Sequence, residues 1–254
     1  MNQENFRDRP TNFEIEVVEN ITFTQAVNHE GREEDLRLDI YLPPVRPHVV
    51  HPAVLWFHGG GFRPGNDKRQ VYIPRFANAF AALGYAGIAP DYRVRADPTP
   101  DMAGAVRDAV ADGRAAWAWV REHGSEYHID PRRIVMAGGS AGGMLVLNLV
   151  HDPAAPVDAK KDGLFAILDL WGTPGGTGRL FTRVNPHSPA TLIVHGTADA
   201  LVPYEWSKKF SGELGEAGVE NKLLTLVDAP HTPLMHADQI VAEAADFFAR
   251  CLNH

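Results

Sequence analysis

The sequence predicts an α/β fold with one mostly parallel central sheet, antiparallel strands at its amino-terminal side, helices on both faces and little or no cap. Three observations lead to this prediction. From residue 51 onwards, short apolar runs typical of buried parallel strands alternate with longer segments of helical periodicity. Before that point apolar and polar residues alternate with a period of two, as in half-buried antiparallel strands. Residues 172–190, which connect two predicted strands, are too rich in Gly and Pro to form a helical cap of any size.

The predicted elements follow one another in a regular order. Before residue 43 the runs FEIEVV, ITFTQAV and LRLDIYL predict antiparallel strands. The later strand predictions are VLWF, YAGIAP, IVMAG, LFAILDLW, TLIV and LLTLV. Helices are expected at 71–83 and 101–122, and from residues 141, 204 and 234. We therefore expect a single domain over 1–254, with antiparallel strands in 1–50 and the parallel core in 51–254.

The helix expected at 101–122 has one apolar face. Residues that recur every third or fourth position form the face expected to pack on the sheet: Met102, Val106, Val110, Gly113, Trp117 and Val120. Four charged residues are expected off this face: Arg107, Asp108, Asp112 and Arg121.

Composition excludes several classes of function. Hydrophobic residues make up 44% and charged residues 22% of the chain, as in ordinary soluble domains. The net charge is −8, and Lys and Arg are dispersed along the sequence. This pattern provides neither a basic surface for nucleic acid nor a polybasic membrane anchor. No apolar run is long enough to span a bilayer, so we expect neither a nucleic-acid nor a membrane partner.

The expected location is the cytoplasm. The single cysteine, Cys251, has no partner for a disulfide within the chain, which fits a reducing compartment. The first residues, MNQENFRDRPTNFE, are polar and lack the apolar run of a secretory signal. A secreted form that has lost its signal peptide is the alternative. The expected assembly is a monomer or a homodimer.

A nucleophile is predicted at Ser140. It is the centre of GGSAG, a G-x-S-x-G pattern that lies directly between an apolar strand and the apolar helix MLVLNLV. A strand-to-helix turn this tight needs small residues beside the serine, and the helix directs free N–H groups at the reacting centre. A phosphate-binding loop is the alternative interpretation. It fails because Met144 and Leu145 stand where Lys and Ser or Thr would be required.

A second motif, HGGG at 58–61, follows the predicted strand VLWF. Consecutive glycines leave backbone N–H groups uncovered, and ligand sites of open α/β sheets form at the carboxyl ends of strands. We expect the N–H groups of Gly60, Gly61 and Ala141 to form an oxyanion hole. A flexible turn with no part in binding is the alternative.

A nucleophilic serine needs a base, and twelve histidines compete for that role. His231 follows the last predicted strand and precedes the last predicted helix, so it is our candidate. His195 ends the strand TLIV, and His236 lies inside the expected last helix; both are expected to be structural.

The base in turn needs an acid that orients it. Asp199 lies just beyond the strand TLIV, and the order Ser140, Asp199, His231 along the chain is one that hydrolases of this topology use. Asp169, near the end of the strand LFAILDLW, is the rival, because one sequence does not reveal which way its side chain points.

From Leu36 onwards the chain resembles the α/β-hydrolase esterases with an HGGG oxyanion loop: the hormone-sensitive-lipase-like group and its smaller relatives, the carbohydrate esterases that remove acetyl or feruloyl groups. The motifs that carry the resemblance are HGGGF with Lys68 downstream, Asp91-Tyr92-Arg93, DPRRI leading into GGSAGG, and HGTADALVPY. The chain lacks the long helical amino-terminal cap segment of the larger members, which makes it more similar to the smaller enzymes.

The resemblance implies hydrolysis of carboxylic esters through an acyl-enzyme, without a metal or organic cofactor. The expected partner is a small-molecule or carbohydrate ester with a short-chain, acetyl or feruloyl group. Phe62, Trp171, Leu201 and Val202 are the expected walls of the substrate pocket, with core packing as their alternative role.

Two other functions stay open at this point. One is amide hydrolysis by the same fold, as in an arylformamidase or a serine peptidase, and the other is a non-catalytic binding protein. The trio Asp91, Tyr92 and Arg93 either touches substrate or ties loops together; we favour the second role because Arg is a multidentate hydrogen-bond donor.

Overall fold

The computed structural model describes residues 15–44, 49–173, 179–180 and 184–252. Its strands are β1 (Glu16–Val27), β2 (Glu33–Leu42), β3 (His51–Phe57), β4 (Ala86–Pro90), β5 (Ile129–Gly139), β6 (Leu164–Leu170), β7 (Ala190–Gly196) and β8 (Asn221–Leu226). Its helices are α1 (Tyr72–Ala82), α2 (Met102–His123), α3 (Ala141–Val150), α4 (Ala159–Asp162), α5 (Tyr204–Glu216) and α6 (Ala237–Cys251). Short 3-10 turns lie at Thr99–Asp101, Gly124–Tyr127 and Leu234–His236.

All of these strands belong to one sheet in the order β1-β2-β4-β3-β5-β6-β7-β8. β2 pairs antiparallel with β1 and β4, and the remaining pairs are parallel. The predicted fold class, an α/β-hydrolase fold with antiparallel strands at the amino-terminal side, is confirmed.

The sheet is covered on both faces because alternate residues of each strand point in opposite directions. In β3, Leu55 and Phe57 pack towards α2, α3 and α5, whereas Val54 and Trp56 pack towards α1 and α6. All four side chains are fully buried. No helix among the described residues is long and apolar enough to cross a bilayer.

Several element boundaries differ from the expected ones. Residues 16–18 of FEIEVV and all of ITFTQAV belong to one strand, β1, with two register shifts, the first of which includes Asn20, whose φ is 58°. Phe13 and Glu14 lie outside the described residues. The last α-helix begins at Ala237, because a 3-10 turn occupies the three residues where we expected its first turn. In the connection 172–189 the described residues form neither helix nor strand, and 174–178 and 181–183 lie outside the described part.

The expectation that Asp112 lies off the buried face of α2 is wrong, since only 2% of the residue is exposed. Its carboxylate accepts hydrogen bonds from Nε of Arg93 at 2.9 Å and from a terminal nitrogen of the same guanidinium at 2.7 Å. A charge can be buried here because an opposite charge from another segment is buried with it.

The segment Asp91-Tyr92-Arg93 ties loops together, as we favoured. Arg93 also donates to the carbonyl of Val27, and the Asp91 carboxylate accepts from the Lys68 backbone N–H and side chain. The Tyr92 hydroxyl donates to the carbonyl of His58 at 2.7 Å. The segment therefore holds the loop that follows β3, which bears the HGGG motif.

We predict that Asp112→Ala lowers the free energy of unfolding by about 3 kcal/mol, because it leaves the Arg93 guanidinium without its carboxylate. Denaturant unfolding followed by tryptophan fluorescence measures the change. The control is Glu205→Ala, which breaks an exposed pair with Lys208 and should cost less than about 1 kcal/mol. Equal losses in the two variants would contradict the role assigned to Asp112.

Candidate active site

Ser140 lies in a strained turn between β5 and α3. Its backbone has φ 55° and ψ −116°, a conformation that residues with a side chain rarely adopt. The turn is forced by close packing. A Cβ on Gly142 would lie 2.1 Å from the carbonyl oxygen of Phe57 in β3, and one on Gly138 would lie 2.3 Å from the carbonyl carbon of Gly142. Only glycine therefore lets the start of α3 approach the ends of both strands.

Of the three glycine N–H groups in the HGGG loop, one is hydrogen-bonded within the protein and two have no acceptor among the described residues. The Gly59 N–H donates to Oε1 of Gln70 at 2.7 Å, and the Gln70 amide in turn donates to Oδ1 of Asn66 at 2.9 Å. Gly60 and Gly61 have φ of 111° and 62°, which favour glycine. No hydrogen bond connects their N–H groups to an acceptor among the described residues. These are the two loop positions predicted as oxyanion donors.

The third predicted donor, Ala141, is the first residue of α3. The first N–H groups of a helix have no partner within it, and the first intrahelical bond here is Met144 N–H to the Ser140 carbonyl at 3.0 Å. The Tyr72 hydroxyl joins the two motifs, since it donates to the carbonyl of Phe57 at 2.9 Å and accepts from the Gly139 N–H at 3.1 Å.

His231 is paired with Asp199. Its Nδ1 lies 2.7 Å from Oδ2 of Asp199, whose side chain is fully buried just beyond the end of β7. The other oxygen, Oδ1, accepts from the N–H groups of Leu201 and Val202, both at 2.9 Å. Burial opposes ionisation of Asp199, but the hydrogen bonds from Val202, His231 and Leu201 outweigh it and hold its pKa below the ordinary value. Asp199 is therefore a carboxylate at neutral pH.

The rival acid, Asp169, is not part of this pairing. It is fully buried in β6, and neither of its oxygens has a hydrogen-bond partner of good geometry. Its Oδ1 lies where Gly143 and Gly172 lack a Cβ; such atoms would be 2.4 and 2.1 Å away. Burial raises the pKa of Asp169 to about 7, although the nearby Gly172 N–H opposes the shift.

The two histidines expected to be structural differ from each other. His236 donates from Nδ1 to Oε1 of Gln239 at 3.3 Å and does not line the cleft that contains Ser140. His195 is fully buried, and its Nε2 lies 3.1 Å from Oδ2 of Asp199.

A cleft of about 520 Å³ brings the predicted residues together. Ser140, His231, Gly60, Gly61 and Ala141 line it, and so do the four expected wall residues Phe62, Trp171, Leu201 and Val202. Sequence reasoning missed other residues of the lining: Gln70, Tyr72, Met102, Met144, Thr173, Trp206 and Thr232. The one signal for Gln70 and Tyr72 was their place shortly after the HGGG motif. The described residues contain no cluster of His, Cys, Asp and Glu suited to a metal ion.

Two family models and several known proteins match parts of the chain. The BD-FAE family model matches residues 38–152, and the model of the prolyl oligopeptidase family matches residues 178–254. Esterase LipI of Mycobacterium tuberculosis is 36% identical over 133 residues, which cover 48% of this chain and 38% of the relative. The chain thus spans well under two thirds of the length of that curated relative.

Solved structures match over nearly the whole chain. Thermogutta terrifontis esterase 2 phosphoramylated by tabun has a TM-score of 0.73 and 28% identity, and the match covers 93% of this chain and 94% of that one. The propionate-bound form of the same esterase has a TM-score of 0.71 and 26% identity over 93% of each chain. The chain therefore has the α/β-hydrolase fold and is similar over nearly its whole length to an esterase of that fold.

Proposed function

We propose that the protein hydrolyses carboxylic esters, with Ser140 as nucleophile, His231 as general base and Asp199 as the acid that orients the base. The observation that carries the proposal is the position of His231. Its Nδ1 is bonded to a buried carboxylate, while the residue lines the same cleft as Ser140. This combination assigns the proton to Nδ1 and leaves Nε2 as the proton acceptor.

In the proposed mechanism, His231 Nε2 takes the proton of the Ser140 hydroxyl as its oxygen attacks the ester carbonyl carbon. The carbonyl π bond opens, and the N–H groups of Gly60, Gly61 and Ala141 stabilise the negative oxygen; each such donor typically contributes about 3 kcal/mol. His231 then gives its proton to the leaving alcohol. Water attacks the acyl-enzyme with the same base, which restores Ser140 and releases the acid.

The substrate class proposed for the cleft is a short-chain acyl ester of a small aryl alcohol or a sugar, with acetyl and feruloyl groups as candidates. Trp171 and Phe62 are buried at the floor, whereas 74% of Leu201 is exposed at the rim. Such a cleft encloses a short or flat acyl group but does not wrap a long chain. The similar Thermogutta terrifontis esterase has been solved with propionate and with butyrate bound.

Amide hydrolysis by the same residues is the alternative. The prolyl oligopeptidase model matches the part of the chain that carries Asp199 and His231. Esters and amides differ in the leaving group that His231 must protonate, so the ratio of ester to amide turnover on matched substrates decides between the two.

Replacing Ser140 by Ala should abolish ester turnover and leave the fold intact, because the change removes one small, chemically essential atom. A fluorophosphonate should label the wild-type protein at Ser140 and should not label the variant. The control is Ser125→Ala, which alters an exposed serine in the turn Gly124–Tyr127 and should retain full activity. Labelling at another residue, or turnover within tenfold of wild type in Ser140→Ala, would disprove the assignment.

The two aspartates should respond very differently to replacement by Asn. Asp199→Asn should lower kcat by about a thousandfold or more, because the amide no longer selects the histidine tautomer with its proton on Nδ1. Asp169→Asn should have a much milder effect, since its side chain does not reach His231. A crippling loss in Asp169→Asn would make that residue the acid.

Asp169 should instead affect stability as a function of pH. Its pKa rises from the ordinary 3.8 to about 7 in the folded protein, so the folded protein binds this proton more tightly than the unfolded chain does. The resulting stabilisation is complete below the unfolded pKa and is lost as pH rises through about 7. Relative to wild type, Asp169→Asn should therefore gain stability between pH 5 and pH 8, as measured by denaturant unfolding at each pH. Parallel curves for the two proteins would contradict this prediction.

Among p-nitrophenyl esters, kcat/KM should peak from acetate to butyrate and fall by at least about tenfold by decanoate, a loss of some 1.4 kcal/mol in transition-state binding. The reason is that the open cleft provides no surface for the distal carbons. The rate should also show no jump at the critical micelle concentration of the substrate. A preference for decanoate, or activation at an interface, would show that an element covering a long chain is present.

A further inference from the structure

Asp199 is shared by two imidazoles. Its Oδ2 lies 2.7 Å from Nδ1 of His231 and 3.1 Å from Nε2 of His195. His195 and the Asp199 carboxylate are both fully buried, whereas 15% of the His231 side chain is exposed to the cleft. The second histidine therefore contacts the proposed acid without lining the cleft.

The surroundings of His195 determine where its proton lies. Nε2 faces two acceptors, Oδ2 of Asp199 and the carbonyl oxygen of Val202 at 3.0 Å, so a hydrogen on this nitrogen is favoured. Nδ1 lies 2.7 Å from Oγ of the fully buried Ser207. Burial lowers the pKa of His195, against the influence of Val202 and Asp199, so the ring is neutral and Nδ1 accepts the Ser207 hydrogen.

We propose that Ser207 and His195 form a positioning relay in which the Ser207 hydroxyl selects the tautomer of His195, and the His195 Nε2–H holds Oδ2 of Asp199 in line with His231. This inference rests on the proposed esterase function. His195 and Ser207 are positioning residues, because neither lines the cleft.

The relay works because four groups contact the Asp199 carboxylate from fixed directions, three of them through hydrogen bonds and the fourth, His195 Nε2, at 3.1 Å. Leu201 and Val202 occupy Oδ1, so Oδ2 alone serves both imidazoles. Without the Ser207 hydrogen, His195 can move its proton to Nδ1. A lone pair on Nε2 would then face two oxygen acceptors, and Oδ2 would stay in contact with His231 but lose the donor that fixes its direction.

Loss of the Ser207 hydroxyl should also change the negative charge that Oδ2 of Asp199 offers to His231. The described titratable groups around Asp199 are His195 and His231, and the Tyr204 ring lies edge-on to His195 with 6.0 Å between centroids. The Tyr204 hydroxyl is bonded to Thr225, away from the carboxylate. When His195 no longer donates, more negative charge remains for His231, and the protonated form of that base is favoured. The acidic limb of kcat/KM should then move to higher pH.

The first experiment compares Ser207→Ala with Ser211→Ala. Both serines lie on α5, four residues apart, and Ser211 donates to Asn221 at 2.6 Å, away from Asp199. With p-nitrophenyl acetate, Ser207→Ala should lower kcat by about tenfold with KM within about twofold, and should move the acidic limb upwards. Ser211→Ala should change neither quantity. A purely structural role for Ser207 would lower the stability of Ser207→Ala without moving the acidic limb, and that result would overturn the proposal.

A second pair of variants tests the donor itself. His195→Gln retains an N–H group able to reach Asp199 and Val202 without a tautomer to select, whereas His195→Leu has none. We expect His195→Gln to be at least about tenfold more active than His195→Leu. Adding Ser207→Ala to His195→Gln should cost less than about twofold, because the relay is then already bypassed. Equal activities of the two His195 variants, or an undiminished cost of Ser207→Ala in the His195→Gln background, would overturn the proposal.

Imidazole nitrogen chemical shifts separate this proposal from the proposed function. In wild type they should show His195 protonated at Nε2, and in Ser207→Ala a shift of population towards Nδ1 protonation. This readout needs no turnover. A wild-type protein that hydrolyses no ester would refute the esterase function alone, whereas His195 protonated at Nδ1 in wild type would refute the relay alone.

Discussion

The contact between the start of α3 and the end of β3 is the constraint on which the site depends. Gly142 lies so close to the Phe57 carbonyl that any side chain would collide with strand backbone. This closeness requires a tight turn, in which Ser140 has φ 55° and ψ −116°. Backbone strain of this kind, of order 1–3 kcal/mol, persists only when the surrounding packing enforces it. Here the two-sided core on the sheet supplies that packing, and the Tyr72 hydroxyl joins β3 to β5 at the same level.

The same contact brings the two glycine motifs together. Because β3 and β5 are parallel neighbours, the HGGG loop and the Ser140 turn leave the sheet at the same edge. The loop does not depend on its glycines alone. Gln70 accepts the Gly59 N–H, and the Tyr92 hydroxyl and Lys68 connect the loop to the segment after β4. Hydrogen bonds from neighbouring side chains thus hold the glycine loop in place. They orient the N–H groups of Gly60 and Gly61 and leave both groups free to bind an oxyanion.

Three buried aspartates differ in what surrounds their carboxyl groups and in their ionisation. Asp199 receives three hydrogen bonds and is ionised, whereas Asp169 receives none of good geometry and holds its proton up to about pH 7. Asp112 is a third case, because a guanidinium is buried with it. These differences follow from the donors within reach rather than from depth of burial, since all three carboxyl groups are almost inaccessible to solvent.

Much of this arrangement was determined by the sequence. Local periodicity predicted the order of strands and helices, and the placement of Ser140, Asp199 and His231 after particular strands predicted that they would meet. Parallel strands end at one edge of a sheet, so residues that follow them converge whatever the details of packing. The four expected wall residues reached the cleft for the same reason.

Tertiary structure alone decided the contacts that depend on register. Asp169 pairs with Ile193 inside the sheet and points towards α3, on the same face as Ile167, whereas Asp199 lies beyond the end of β7 and turns towards His231. One residue of slip would have reversed the direction of Asp169. The burial of Asp112 likewise depends on a guanidinium nineteen positions away along the chain. The contact of His195 with Asp199 needs the backbone to fold back within four residues, a path that no periodic pattern in the sequence encodes.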